Sequence, residues 1–459
     1  MNRTLAETAV AIGGRLVGPD RSYASVSTDT RTLDAGALFV ALRGPNFDGA
    51  DFVEAAAAAG AVGAIVEHRT PSALPQILVD DALRALQQLA KAWRDGFGIP
   101  IVAVAGSNGK TTTKEMIAAI LARRGPCLAT RGNFNNHIGV PLTLLRLESE
   151  HQAAVVEIGA NRIGDVAALM AIVRPTVGLV TNAGAEHLEG FGDLDGVARG
   201  EGEAIACLEP DATAVINADD NYAAYWRGLA GTRRVLRFAL DAGAEFRARD
   251  PVLRIEDGEF ATRFDLECPL GREPMLVHAG GTHNVRNAAA AAAAAYAAGA
   301  SIDAIGAGLA DFRPVAGRLQ LKPGARGSWI IDDSYNANPS SVRAGIDVLG
   351  TLPGAKWLVL GDMAELGPGG PDRHAEIGAY ARAGGVERLF GVGTLSARAV
   401  DAFGAGGEWF EDVDALVRRL RAQIGPTVTV LIKGSRVNRL ERVVAAIAAA
   451  SAGAIAREG

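Results

Sequence analysis

The sequence predicts an α/β protein of three domains. These are a small N-terminal α/β domain (1–81), a central P-loop-type domain on a parallel sheet (82–313), and a C-terminal, Rossmann-like doubly wound domain (314–459). Three observations lead there. At 459 residues the chain exceeds what a single core usually supports. A buried-type strand, a glycine turn and an amphipathic helix follow one another over residues 101–125. From residue 329 onward, apolar runs alternate with helical periodicity, the pattern of a mostly parallel sheet with helices on both faces.

In the first domain, residues 37–42 (ALFVAL) read as a strand, 51–59 as a short helix closed by Gly60, and 61–66 as another strand. Two polar patches lie between them, Ser27-Thr28-Asp29-Thr30-Arg31 and Asn46-Phe47-Asp48-Gly49. Their side chains suit hydroxyls or phosphate, and equally suit ordinary turns.

A punctuated loop (71–75) and a helix (82–93) lead into the stretch that organises the chain, IVAVAGSNGKTTTK. Ile101, Val102 and Val104 read as a buried parallel strand. Ala105-Gly106-Ser107-Asn108-Gly109 is a tight turn, and Lys110-Thr111-Thr112 opens a helix with Met116, Ile117, Ile120 and Leu121 on one face. Such a turn aims backbone N–H groups at one spot and lets a phosphate come close. Lys110 can reach β- and γ-phosphate oxygens, and the Thr111 hydroxyl can ligate Mg²⁺. The spacing is shorter than the common P-loop, which has a glycine where Val104 stands.

Further polar clusters follow. Residues 133–141 (NFNNHIGVP) crowd amides and an imidazole beside glycine and proline. Residues 153–158 read as a strand whose end carries Glu157, either a Mg²⁺ ligand or a charge leaving the sheet. The strand 177–181 empties into a turn holding His187, either a ligand or a structural histidine. HNVRN (283–287) opens an alanine-rich helix better suited to tight packing than to spanning a bilayer. A hinge is expected at 312–318 (FRPVAGR). In the last domain strands or helices are expected at 329–331, 340–352, 356–360, 374–383, 388–392, 413–423, 428–432 and 439–450. Two strand ends there carry unusual chemistry, DDSYNANP (332–339) and KGSR (433–436). The Ala/Gly-rich C-terminus is expected to fray.

A net charge of −6 gives nucleic acid no electrostatic support as a partner. Cys127, Cys207 and Cys268 are scattered, with neither metal nor disulfide spacing, which points to a reducing compartment. Residues 1–14 carry Glu7 and no apolar core of a signal peptide, and no segment looks fit to span a membrane. A cytoplasmic location is expected.

The short Gly-x-x-Gly-Lys-Thr-Thr loop, NFNNHIGVP, Glu157-Ile-Gly, HNVRN, PVAGR, DDSYNANP and LIKGSR, in this order over essentially the whole chain, resemble the Mur ligases of peptidoglycan synthesis. The resemblance implies a monomeric, ATP- and Mg²⁺-dependent amide ligase. It would join D-alanyl-D-alanine to UDP-N-acetylmuramoyl-tripeptide through an acyl phosphate. A sister or folylpolyglutamate-type ligase adding one amino acid is the alternative, and a P-loop ATPase or a UDP-sugar-binding protein are more distant ones.

The resemblance also implies roles. Ser27, Thr28, Asp29, Arg31 and Asp48 would bind the UDP part, and Asn133, Asn135, Asn136 and His137 the nucleotide-sugar substrate near the reacting centre. Gly106, Ser107, Asn108, Gly109, Lys110, Thr111 and Thr112 would hold the ATP phosphates, with Thr111, Glu157 and His187 as metal ligands. Asn284 and Asn287 would meet adenine, while Arg318 and Asp333 close on phosphate and ribose. Tyr335, Asn336 and Asn338 would border the dipeptide and ATP. One departure stands out. Where family members often carry a carbamylated lysine, this chain has Glu201, expected to offer its carboxylate to the metal water directly, with Glu203 as the alternative.

Overall fold

The computed structural model describes residues 3–449. Three main sheets follow one another along the chain. The first has five strands from residues 15–78, with the buried strands Ala37–Val40 and Gly63–Val66 at its heart. The helix expected at 51–59 is split into a 3-10 turn, Gly49–Phe52, and a short helix, Val53–Ala58, because Asp48 caps the turn through the Ala50 N–H at 2.9 Å. The strand expected from 61 starts only at Gly63. The helix Ala82–Arg94 bridges outward, packing on Gly139–Leu144 and Asp165–Val173 of the central region.

The second sheet has nine strands. Its parallel part centres on Ile101–Ala105, flanked by Ala153–Glu157 and Val177–Val180, and all three strands are wholly buried. The helices Lys110–Ala122 and Thr282–Ala297 cover one face, and Ala288 to Ala295 have no exposed surface. Alanine's small side chain lets that helix lie against both the sheet and its neighbour helix. The expected parallel sheet is extended by something the periodicity did not announce. Phe246–Glu256 pairs in parallel with Arg234–Ala239, and Glu259–Cys268 and Gly271–Val277 then follow it as antiparallel strands at one edge.

The third sheet has six strands in the order Gln320–Pro323, Trp329–Asp333, Val428–Lys433, Ala355–Gly361, Arg388–Val392, Gly407–Phe410. The first pair is antiparallel and the others are parallel, with apolar clusters on both faces. This is the expected doubly wound arrangement. The last helix is shorter than expected, Glu441–Ile447, and the C-terminal fraying falls on residues 450–459, outside the described residues.

Candidate functional site

At the carboxyl end of Ile101–Ala105 the chain turns sharply into the helix Lys110–Ala122. The turn needs glycine at two places. Gly106 has φ +118° and a Cβ there would lie 2.2 Å from Thr181 Oγ1; Gly109 has φ +82° and a Cβ there would lie 2.5 Å from Asn287 Oδ1. The loop is pinned by the next strand. Ser107 N–H donates to Asn182 O (2.9 Å), Asn108 N–H to Asn182 Oδ1 (3.0 Å), and Thr181 Oγ1 to Asn108 O (2.7 Å).

Lys110 folds back into this loop. Its ammonium donates to Gly106 O, to Ser107 O at 3.1 Å and to Glu186 Oε1 at 3.1 Å, which uses all three protons. Burial alone would favour the neutral amine. The carboxylates of Glu186, Glu201 and Glu157 outweigh it and raise the Lys110 pKa. Lys110 is therefore a fixed positive charge at the floor of the cradle.

Glu157 ends its strand at 3 % exposure. Oε1 accepts from Asn135 Nδ2 at 2.9 Å, but Oε2 is buried with no hydrogen-bond partner. An orphaned carboxylate oxygen beside a phosphate cradle fits a divalent cation. His187 has φ +49° and its Nδ1 lies 2.6 Å from Glu365 Oε2, a residue of the third-sheet region. Among the described residues no group of three or more His, Cys, Asp or Glu could hold a metal ion by itself. A cation at Glu157, Thr111 and His187 would therefore need phosphate oxygens to complete its shell.

Glu201 lies deep behind the turn. It is neither a solvated helix charge nor a wall of the cleft. At 1 % exposure, its Oε2 accepts the Gly106 N–H at 2.6 Å. Burial pushes its pKa up to about 7 despite the opposing pull of Lys110. One of its two oxygens thus holds the turn. The alternative, Glu203, caps the helix Asp165–Val173 through the N–H groups of Gly164 (2.8 Å) and Ala167 (2.9 Å).

Across the cleft the third region closes down. Asn338 Nδ2 donates to Asn108 Oδ1 (2.7 Å) and Asn108 Nδ2 to Ser340 Oγ (3.1 Å). Arg318 lies over the Tyr335 ring, 4.1 Å from its centroid, with Nη2 3.4 Å from Thr111 Oγ1. Asp333 lines the cleft with its carboxylate tied in place: Oδ1 accepts the Leu319 N–H (3.1 Å) and Oδ2 accepts from Lys433 Nζ (2.6 Å). Asn284 and Asn287 are buried and bonded to each other at 3.1 Å, beside the cradle.

One cleft of about 720 Å³ gathers most of the expected site. Residues 107–112, Asn133, Asn135, Asn136, His137, Glu157, His187, Asn284, Asn287, Arg318, Asp333, Tyr335, Asn336 and Asn338 all line it. Ser27, Thr28, Asp29, Arg31 and Asp48 do not. Asp29 and Arg31 pair with each other at 2.6 Å, and Asp48 caps its own turn. Glu186 was missed from sequence, since a glutamate inside a turn carries no signal until its lysine is known. Arg286 and Asp219, paired at 3.3 Å in the same cleft, were missed for the same reason.

Three family models match the chain: "Mur ligase family, catalytic domain" over residues 22–94, "Mur ligase middle domain" over 104–295, and "Mur ligase, glutamate ligase domain" over 317–436. The chain is 42% identical over 447 residues to UDP-N-acetylmuramoyl-tripeptide--D-alanyl-D-alanine ligase of Escherichia coli (strain K12), covering 97% of this chain and 98% of the relative. Among solved structures it resembles MurF from Acinetobacter baumannii, with TM-score 0.91 and 33% identity over 97% of this chain and 98% of that one. It also resembles MurF ligase from Thermotoga maritima in complex with ADP, with TM-score 0.82 and 28% identity over 92% of this chain and 96% of that one.

Proposed function

The chain belongs to the Mur ligase family, and from that premise we propose that it joins D-alanyl-D-alanine to UDP-N-acetylmuramoyl-tripeptide at the cost of ATP. One observation carries the reading. The nucleotide loop and the amide-rich loop of the third region meet across one cleft, through Asn108, Asn338 and Ser340. A P-loop switch has no need of an amide-lined pocket facing its phosphates; a ligase that must bring an amine to an activated acid does.

A carboxylate resists attack by an amine because its leaving group would be oxide. Transfer of the γ-phosphoryl group to one carboxylate oxygen makes an acyl phosphate. The dipeptide amine adds to its carbonyl, and phosphate departs with the oxygen it received. Lys110 supplies positive charge along the phosphates, and Arg318 adds more from the opposite side. Thr111 and Glu157 would hold Mg²⁺, with Nε2 of His187 available as a further ligand while its Nδ1 holds Glu365. The ion would supply further charge neutralisation on the phosphate oxygens.

Asn133, Asn135, Asn136 and His137 border the acyl substrate, and Tyr335, Asn336 and Asn338 the dipeptide. The patches at Ser27–Arg31 and Asp48, outside the cleft, suit the distant UDP end of a long substrate. Residues 1–81, 82–313 and 314–459 act as the three domains whose closure keeps water from the acyl phosphate. Among the described residues no helix is long and apolar enough to cross a membrane.

The test is phosphate release from ATP with UDP-N-acetylmuramoyl-tripeptide, with and without D-alanyl-D-alanine. Release coupled to amide formation supports the reading. ATP hydrolysis indifferent to both substrates, or a single amino acid preferred over the dipeptide, overturns it.

A further inference from the structure

Lys433 is a buried cation that the reaction above leaves without a task. It ends the strand Val428–Lys433, beside Asp333 at the end of Trp329–Asp333. Its side chain is 3 % exposed, and Nζ donates to Asp333 Oδ2 at 2.6 Å and to Asn336 O at 2.8 Å. A lysine this deep loses its hydration, so its two acceptors must hold it in place.

The partners lead to one segment. The other oxygen of Asp333 accepts the N–H of Leu319 at 3.1 Å. Leu319 has φ +52°, a conformation costly for a branched side chain and kept only where neighbours impose it. The residue before it is Arg318. A second tie runs alongside: Tyr335 N–H donates to Gly317 O at 3.2 Å, and the Tyr335 ring lies under the Arg318 guanidinium. Arg318 itself forms no ion pair among the described residues and reaches only Thr111 at 3.4 Å. It is a half-buried cation turned toward the phosphate cradle with its counter-charge missing.

We propose that Lys433 is a positioning residue that, through Asp333 and the strained Leu319, fixes the backbone from which Arg318 is aimed at the transferring phosphoryl group. The inference rests on the ligase reading, since Arg318 needs an anion to meet. Strand, acidic end, hinge and arginine then form one rigid chain of contacts from the third sheet into the cleft. Misaiming a charged group by about an ångström costs on the order of a hundredfold in rate.

A double-mutant cycle with Arg318 tests it. Lys433→Met is expected to lower kcat about 100-fold. In an Arg318→Ala background the same change should cost less than about threefold, because the group it positions is gone. Asp333→Asn is the second variant. Its amide oxygen can still accept from Leu319 while the ionic tie to Lys433 is lost, so a smaller loss is expected, again absent without Arg318. Thermal unfolding of each variant checks the fold, and if Lys433→Met does not fold the Asp333→Asn cycle decides. Losses that multiply independently of Arg318, as a direct ribose contact by Asp333 would give, overturn the inference. So does a folded Lys433→Met enzyme with unchanged kcat. Failure of the ligase reading would show separately, as absent ligation in the unmodified enzyme.

Discussion

Replacing Glu201 by glutamine should make the protein more stable, and only above a certain pH. The carboxyl is fully buried, and its pKa rises from an ordinary 4.5 to about 7 because burial penalises the charge more than Lys110 relieves it. The unfolded chain releases this proton near 4.5 and the folded chain near 7. Between those values the folded state holds the extra proton, so raising the pH through that window favours unfolding. The rise from 4.5 to about 7 corresponds to about 3 kcal/mol of stability, lost by pH 8 and fully retained only well below pH 4.5. Glutamine keeps an oxygen for the Gly106 N–H and carries no charge to bury. Its advantage over the natural residue should therefore grow from about 1 kcal/mol at pH 5 to about 3 kcal/mol at pH 8. The assay is denaturant unfolding at both pH values, followed by the fluorescence of Trp226, with the other tryptophans replaced by phenylalanine. Trp226 suits the purpose because its indole N–H donates to Ala198 O at 2.9 Å, on the helix that carries Glu201. A glutamine variant that is less stable at pH 8, or whose advantage does not change with pH, would refute the reasoning.

Other outcomes follow from the same geometry. Lys110→Ala should cut ligation to below about a hundredth while leaving the circular dichroism spectrum unchanged, since the lysine contributes charge rather than core; a folded variant keeping a tenth of the rate would contradict it. Glu186→Gln removes the counter-charge that occupies Lys110 at 3.1 Å and competes with phosphate for it, so ADP affinity measured by calorimetry should rise about fivefold, and a weakening would contradict that competition. Gly109→Ala places a methyl 2.5 Å from Asn287 Oδ1 at φ +82°, and should raise the KM for ATP at least about tenfold. Adding Asn287→Ala should recover only the steric part of that loss.

What sequence could reveal was mostly local. The cradle was legible because strand, glycine turn and helix lie within 25 residues, and each demands its own residue types. The alanine helix and the doubly wound third sheet were legible from periodicity for the same reason. Partners were not. Glu201 is legible as an unusual carboxylate, yet its bond to Gly106 spans 95 positions and has no local signal. Asp333 is legible as a strand-end carboxylate, but nothing local announces that Lys433 and Leu319 each bond one of its oxygens. The contact of His187 Nδ1 with Glu365, from the other side of the cleft, likewise has no local signal. The antiparallel extension had a signal that went unused. Asp257-Gly258, both at positive φ between the paired Glu256 and Glu259, is a two-residue hairpin turn.

The account's central claim is that the cradle around Lys110 activates a carboxylate by phosphorylation. The most direct test uses UDP-N-acetylmuramoyl-tripeptide with its reacting carboxylate labelled in both oxygens with oxygen-18. Mass analysis of the phosphate released during ligation should find one labelled oxygen per phosphate, because that oxygen bridged acyl carbon and phosphorus. Unlabelled phosphate accompanying amide formation would contradict the account.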